Sequence, residues 1–308
     1  MRGFPVLAVA LVGLLAACGG DDGVSAPDAR GRVEVVASFY PLAEVVRQVG
    51  GERVAVENLT AAGAEPHDLE LAPGQVEDIV DADLVVVMGR DFQPAVEEVA
   101  SRRDGATVVV LDELAARGVR GLAEVDEEDD AHVWLDPTIM QEIVRTVAES
   151  LSELDPEHAT GYDAAARRHV GELALLDEEL SAGLASCERR EIVTAHEAFG
   201  WLARRYDLEQ YAVSGIEPDQ EPSADRIAEL ADLARAKGVT TIFAETLVSP
   251  EVAETLAREA GGLRVAVLDP LEGLTDAQIA AGDDYFTVMR RNLAALRAAL
   301  GCDARGGA

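Results

Sequence analysis

The sequence predicts an α/β protein made of two parallel-sheet lobes joined by a single long helix. In both halves of the chain, short β-branched runs alternate with amphipathic helical patterns, which is typical of βαβ units and a parallel sheet. Between the halves, one helical pattern runs from Pro156 to about Leu184 without a strand signal. A joint made of one helix has no flexible linker on which to hinge. We therefore expect a site formed between lobes that move only slightly.

The first half carries four predicted strands and three predicted helices. The strands are Val33–Phe39, Val54–Leu59, Leu84–Met88 and Thr107–Leu111. The helices are Pro41–Val49, Gln75–Asp81 and one that begins at Pro137, with Asp136 as its N-cap, and runs to about Leu154.

The second half repeats this pattern. Its predicted strands are Glu191–Ala195, Gln210–Ser214, Thr240–Ala244 and Arg264–Leu268. Helices lie between them, one capped by Ser223 and another by Ser249. A final helix, Tyr285–Leu300, is expected to stop at Gly301, because glycine favours the left-handed conformation that ends helices.

The first residues predict the compartment. Arg2 supplies a positive n-region, and the apolar run Phe4–Ala17 is too short to span a bilayer. The run ends in LAAC, which resembles a bacterial lipobox, a signal that is cut before the cysteine so that Cys18 carries the lipid. The alternative is an ordinary signal peptide cut after Ala17, with Cys18 left as a spare thiol. We expect a lipoprotein anchored on the outer face of the cell membrane, either periplasmic or at the cell surface.

These observations divide the chain into six segments. Residues 19–31 hold Gly, Asp, Ser and Pro with almost no bulky apolar side chain, so they are expected to be a tether. The predicted boundaries are 1–17 for the signal peptide, 18–31 for the lipidated start and tether, 32–154 for the first lobe, 155–186 for the linking helix, 187–302 for the second lobe and 303–308 for a tail.

The charge balance excludes one class of partner. The formal net charge is −32 and the only lysine is Lys237, whereas nucleic-acid binding needs basic patches. The acidic excess concentrates cations near the surface, although a solubility or salt adaptation explains it equally well. The acidic loop 124–130 is open to two interpretations, a lid that gathers metal ions or a solvated loop.

Three of the five histidines occupy informative positions. His67 lies in the loop after the second strand, His132 follows the acidic loop, and His196 directly follows a strand. Ligands of open α/β sheets bind beyond the carboxyl ends of the strands, and these three side chains can all reach that edge. His158 and His169 lie on the long helix and are expected to be structural.

Asp269 also directly follows a strand, and it would complete the set. Three neutral imidazoles and one carboxylate suit tetrahedral Zn²⁺. A second interpretation makes Asp269 a turn former before Pro270. Glu65, two residues before His67, is a further candidate for the fourth ligand or for a group that supports the ligands.

Cys187 and Cys302 are the remaining cysteines. In an oxidising compartment we expect them to form a disulfide that pins the final helix to the start of the second half. The alternative is two buried free thiols.

Several segments, in this order, resemble one known family. They are GAEPHDLEL at 63–71, HVWLDP at 132–137, TAHEAFGWLA at 194–203, EPDQEPS at 217–223 and LDPLEGL at 268–274. With them the chain, from Val33 to Cys302, resembles the zinc- and manganese-binding lipoproteins of ABC importers, the ZnuA and TroA type.

The resemblance implies a metal receptor without catalysis. It implies two lobes joined by one long helix, ligands at His67, His132 and His196, a variable fourth position at Asp269, and a membrane permease with a cytoplasmic ATPase as partner. We expect a monomer. The third histidine favours Zn(II), because the manganese branch places a carboxylate there, and Mn(II) remains the alternative. The family's histidine-rich loop is acidic here, which puts its zinc-gathering role in doubt for this chain.

Two other functions compete with metal capture. A secreted zinc hydrolase would use the three histidines with Glu197 as general base, but the chain lacks a substrate-pocket motif. An adhesin is the other, since related lipoproteins have been credited with surface attachment. Nothing in this sequence specifies a protein ligand.

Overall fold

The first sheet contains four parallel strands. The computed structural model describes residues 31–122, 130–216 and 222–302. The strands are β1 (Val33–Ala37), β2 (Val54–Asn58), β3 (Leu84–Val87) and β4 (Ala106–Val109), in the order β2-β1-β3-β4. All four side chains of β3 are buried, as expected for a central strand covered on both faces.

The second sheet repeats the strand order of the first. Its strands are β5 (Glu191–Thr194), β6 (Glu209–Ala212), β7 (Thr241–Ala244) and β8 (Arg264–Val267), in the order β6-β5-β7-β8 and again parallel. In each sheet the strand order therefore reverses at the equivalent place, between β1 and β3 and between β5 and β7. Such reversal points form the crevices in which α/β proteins bind ligands.

The described residues of the first half form five helices, α1 (Tyr40–Gly50), α2 (Pro73–Asp81), α3 (Pro94–Ala100), α4 (Val110–Ala116) and α5 (Pro137–Leu154). The sequence pattern predicted α1, α2 and α5, whereas α3 and α4 were not predicted. The predicted strand Thr107–Leu111 ends at Val109, since Val110 and Leu111 are buried as the first turn of α4. A short apolar run cannot by itself distinguish a buried strand from a buried helix. The predicted cap of α5 is confirmed, because the Asp136 side chain accepts a hydrogen bond from Thr138 N at 2.8 Å.

One long helix lies between the two sheets in the chain. Helix α6 (Ala159–Leu184) has 26 residues and packs against α1, α5 and α11. It begins three residues later than its sequence pattern, because Asp155 accepts hydrogen bonds from His158 Nδ1 and from the Tyr162 hydroxyl in a turn before the helix. The predicted fold class, two parallel-sheet lobes with one linking helix, is confirmed.

The helices of the second half complete the fold. They are α7 (Gly200–Arg205), α8 (Ala224–Lys237), α9 (Glu251–Glu259), α10 (Asp276–Ala281) and α11 (Tyr285–Leu300). Ser223 caps α8 as predicted, whereas the N-cap of α9 is Pro250 instead of Ser249. Helix α11 has the predicted bounds and ends at Gly301, whose φ of 68° is left-handed.

The predicted disulfide is present. Cys187, just beyond α6, is bonded to Cys302, just beyond α11, across 115 positions of sequence. The bond encloses the whole second sheet in one covalent loop. The proposed lipidation residue Cys18, most of the tether, most of the acidic loop and the tail lie outside the described residues.

The largest core cluster contains buried side chains from both lobes. Trp134, fully buried, donates its indole N–H to the Pro270 carbonyl at 2.8 Å, and Tyr285 donates its hydroxyl to the Trp134 carbonyl at 2.7 Å. These bonds fasten the segment around residue 134 to the second lobe. In the described ranges, none of the helices has the length and apolar character needed to cross a membrane.

Candidate metal centre

Four side chains from distant parts of the chain meet where the lobes face each other. His67, His132, His196 and Glu272 place one potential ligand atom each within 4.8 Å of one another. The Nε2 atoms of the three histidines lie 3.3, 3.0 and 3.3 Å, respectively, from Oε1 of Glu272. The exposed fraction of these side chains is 8, 0, 1 and 1% in the same order. The three predicted histidines are thus brought together, in a buried cluster.

His196 lies at the strand reversal of the second sheet. It is the second residue beyond β5, and Glu245 directly follows the neighbouring strand β7. Glu245 accepts the His196 backbone N–H with Oε1 at 3.0 Å, and its Oε2 hydrogen-bonds to Nδ1 of the ring. Both oxygens of the Glu245 carboxylate bond to His196, so Nε2 of the ring points into the cluster.

His132 has an equivalent support from its own segment. Asp130 Oδ1 accepts the His132 backbone N–H at 3.0 Å and lies 2.8 Å from its Nδ1. Trp201 in turn donates its indole N–H to the Asp130 carbonyl at 2.8 Å, which anchors this segment on α7. Space is tight here, since a Cβ added at Gly200 would lie 2.6 Å from Asp130 Oδ2.

His67 comes from a loop that is fastened to the edge of the first sheet. Gln93 donates to the Pro66 carbonyl and to the Thr60 hydroxyl, both at 3.1 Å. The ring of Phe92 packs against the His67 ring, with centroids 4.5 Å apart. These contacts place the imidazole opposite His132 and His196.

The fourth member of the cluster is Glu272, and the structure does not bring the predicted Asp269 into it. Asp269 Oδ1 accepts from Leu271 N and Oδ2 from Gln278 Nε2, both at 2.8 Å, so both oxygens are engaged within the second lobe. These bonds shape a tight turn in which Leu271 has a φ of 58°. Such left-handed backbone is costly for a residue with a side chain, and it re-aims the chain so that Glu272 points at the histidines.

The sequence pattern favoured Asp269 over Glu272, because Asp269 directly follows a predicted strand. The available signal was a second carboxylate in the same LDPLEGL segment, three residues further on. The other candidate, Glu65, lies beside the cluster without joining it, and its Oε1 accepts the His67 backbone N–H at 3.4 Å. His158 and His169 lie elsewhere, against Asp155 and Phe286 respectively.

The charged groups in and around the cluster shift one another's pKa values. Burial lowers the pKa of His132, but hydrogen bonds with Asp130 and Glu272 outweigh it and raise this pKa to about 9. Burial also lowers the pKa of His196, but hydrogen bonds with Glu245 and Glu272 outweigh it and raise this pKa to about 10. The three histidines hold the pKa of Glu272 well below its usual range despite its burial. Burial, followed by repulsion from Glu272, raises the pKa of Glu65 to about 8.

This arrangement suits a divalent transition metal. Three imidazole nitrogens and one carboxylate oxygen form a four-donor set of the kind that binds Zn²⁺ tetrahedrally. The Asp130 and Glu245 carboxylates hydrogen-bond to Nδ1 of His132 and His196, respectively. Nε2 of each ring is therefore left to bind a metal, and such hydrogen bonds are the usual support for histidine ligands. Two α/β lobes that share such a buried donor set are the arrangement expected of a protein that binds a metal ion between its lobes.

The chain belongs to the family described as zinc-uptake complex component A, periplasmic (ZnuA), whose model matches residues 35–299. Among curated relatives, zinc-binding protein AdcA of Streptococcus pyogenes serotype M3 is 37% identical over 290 residues, covering 87% of this chain and 56% of that protein. High-affinity zinc uptake system protein ZnuA of Bacillus subtilis is 33% identical over 306 residues, covering 93% and 94%. The chain thus spans only about half the length of the AdcA relatives.

Solved structures show the same fold. The Zn(II)-bound ZnuA-like domain of Streptococcus pneumoniae AdcA is 34% identical, with a TM-score of 0.73, and the match covers 88% of this chain and 99% of that domain. The laminin binding protein of Streptococcus agalactiae, described as bifunctional with adhesin and metal-transporting activity, is 30% identical, with a TM-score of 0.77 and coverage of 87% and 99%.

Proposed function

We propose that this chain is the extracytoplasmic metal receptor of a zinc importer, which captures one Zn(II) ion between its lobes and delivers it to a membrane permease driven by a cytoplasmic ATPase. The observation that carries the proposal is the buried cluster of His67, His132, His196 and Glu272. The family membership and the zinc-related names of the relatives support it.

Zinc is the proposed ion because of the donor chemistry. Imidazole nitrogen is a borderline donor that Zn(II) prefers, whereas Mn(II) favours carboxylate, carbonyl and water oxygens. Three of the four donors are nitrogens, and for a given site Zn(II) binds more tightly than Mn(II) in the general order of affinities. A manganese receptor of the same family is the alternative.

The test is metal titration of the soluble chain beginning at Gly19, stripped with chelator. We expect one tight zinc site per chain and weak manganese binding. The site should be lost in the double variant His67→Ala, His196→Ala and kept in the matched control His158→Ala. Tight manganese with weak zinc would keep metal capture and change the ion. The absence of a tight transition-metal site would contradict the proposal.

Anchoring is a second part of the proposal. We infer that Cys18 carries a lipid and holds a monomeric receptor at the outer face of the membrane, a hypothesis supported by the LAAC segment and by the periplasmic description of the family. Metabolic labelling with a radioactive fatty acid should mark the wild-type chain, and Cys18→Ala should abolish the label and release the protein. Labelling of the variant would contradict it.

The donor set argues against a hydrolase. A catalytic zinc keeps one open position for water, whereas here four protein side chains converge on the same point. Glu197, the candidate base, is exposed, and it is not among the clustered residues. Ester, peptide or phosphate hydrolysis that disappears in His196→Ala would revive the enzyme hypothesis.

Adhesion is a second candidate function, favoured by the likeness to the laminin binding protein. It requires a surface that works independently of the buried cluster. Laminin binding by the wild-type chain that persists in His67→Ala would support it, and no binding by the wild type would remove it.

A further inference from the structure

The three clustered histidines share one feature outside the cluster. The backbone N–H of each donates to a nearby carboxylate oxygen, at 3.4 Å from His67 to Glu65, 3.0 Å from His132 to Asp130 and 3.0 Å from His196 to Glu245. Two of these carboxylates belong to residues two positions before their histidine. Each histidine therefore has its own carboxylate partner.

In two of the pairs the same carboxylate also holds the ring. Asp130 uses one oxygen for both the backbone N–H and Nδ1 of His132. Glu245 uses both oxygens, since Oε1 accepts the backbone N–H of His196 and Oε2 hydrogen-bonds to its Nδ1. A ligand histidine needs such a partner, because a metal at Nε2 leaves the proton on Nδ1.

The third pair, Glu65 and His67, has the hydrogen bond to the backbone but not the one to the ring. Glu65 Oε1 takes the backbone N–H of His67, as Glu245 Oε1 does for His196, but Glu65 Oε2 is buried without a hydrogen-bond partner among the described residues. A buried carboxylate oxygen left unpaired is costly and rare, so it requires an explanation. His67 is also the most exposed of the three side chains, at 8%.

We propose that Glu65 is the positioning residue of His67, and that its free oxygen accepts the Nδ1–H of His67 when a metal ion is bound at Nε2. The inference rests on the proposed function, since it concerns the metal-loaded state. Metal capture then completes the third carboxylate–histidine pair. His67 is the ligand that is held last on binding and freed first on release.

The role proposed for Glu65 differs from that of a fourth metal ligand. Glu65 is not in the group of donor atoms within 4.8 Å, where Glu272 supplies the oxygen. Glu65 acts instead on the orientation of the His67 ring. Loss of such an outer partner typically costs about 10–100-fold in metal affinity.

The first test is the count of imidazole Nδ1–H signals in nitrogen-15 NMR spectra, assigned to the three ligand histidines with single histidine variants. The wild type should give slowly exchanging signals from His132 and His196 without metal, and a third from His67 after zinc is added. In Glu65→Gln the third signal should be missing. The amide is the same size but has only one oxygen, so a purely packing role would leave the signal unchanged.

The second test is the rate of zinc dissociation into excess chelator. Glu65→Ala and Glu65→Gln should both release zinc about 10–100-fold faster than the wild type. The matched control Glu70→Ala changes an exposed carboxylate in the same loop and should release zinc at the wild-type rate. Tight zinc binding with unchanged release and an intact third signal in the Glu65 variants would overturn the inference alone. Absence of zinc binding by the wild type would overturn the proposed function as well.

Discussion

Oε1 of Glu272 lies 3.0 Å from Nε2 of His132, although 140 positions of sequence separate the two residues. The contact joins the first half of the chain to the second. The turn that delivers Glu272 is fastened to the segment of His132 by the bond from the Trp134 indole to Pro270. The donor set is therefore assembled by the packing of the two lobes.

Glu272 and Asp269 should respond differently to substitution. Glu272→Ala removes a donor, and we expect zinc affinity to fall by at least about 100-fold, more than for loss of an outer partner. Asp269→Ala breaks two hydrogen bonds of the turn, one buried and one partly buried, so the free energy of unfolding should fall by about 1–3 kcal/mol while one zinc site remains. Competition with a chromophoric chelator and urea unfolding measure the two effects. Loss of the zinc site in Asp269→Ala with normal stability would instead favour Asp269 as ligand.

Zinc affinity should rise with pH. The ion binds neutral imidazole, whereas the pKa values of about 9 and 10 keep His132 and His196 protonated at pH 7 in the metal-free protein. Binding therefore releases protons, and the affinity should increase by up to about tenfold per pH unit for each proton released. Calorimetry at pH 6 to 8 in buffers of different ionisation enthalpy counts these protons. An affinity that does not change with pH would show that the histidines are already neutral.

The stability of the metal-free protein should change in the opposite direction. A histidine pKa raised above 6.5 on folding stabilises the folded state fully below pH 6.5, and that contribution is lost as the pH rises through about 9 and 10. We expect the midpoint of thermal unfolding to decrease between pH 6.5 and 10 without metal. The variant His132→Gln, His196→Gln should show a weaker decrease over the same range.

Gly200 should be sensitive to a single added methyl group. Its Cβ would lie 2.6 Å from Asp130 Oδ2, so Gly200→Ala displaces the carboxylate that holds His132. We expect zinc affinity to fall by roughly 10-fold, the lower end for loss of an outer partner. Gly171→Ala is the matched control, because nothing lies within 4 Å of its Cβ in α6. Equal zinc affinity of the two variants would mean that Asp130 can move without consequence.

The disulfide should contribute stability and leave the site intact. Closing a loop of 115 residues lowers the entropy of the unfolded chain, which in the chain-entropy model raises the free energy of unfolding by about 4–5 kcal/mol. The variant Cys187→Ser, Cys302→Ser should therefore unfold at a lower urea concentration, with zinc affinity unchanged. A large loss of zinc affinity at a temperature where the variant is folded would indicate that the bond also positions the lobes.

Local signals in the sequence predicted much of the fold. The β-branched run of β3, the Asp136-Pro137 start of α5 and the Gly301 stop of α11 depend on near neighbours in the chain, so they could be recognised without a structure. The start of α4 could not be recognised from the sequence, because apolar residues such as Val110 and Leu111 would be buried in a strand as well as in a helix.

Strand ends and loop positions are local properties of the chain, so the sequence was enough to predict the parallel α/β class, the linking helix and the three clustered histidines. The position of Glu272, and not Asp269, opposite those histidines is a result of folding. That position depends on the left-handed backbone at Leu271 and on the hydrogen bonds that Asp269 accepts from Leu271 and Gln278. A side chain's direction after such a turn is set by contacts that form only when the lobes are folded, and sequence spacing does not record it.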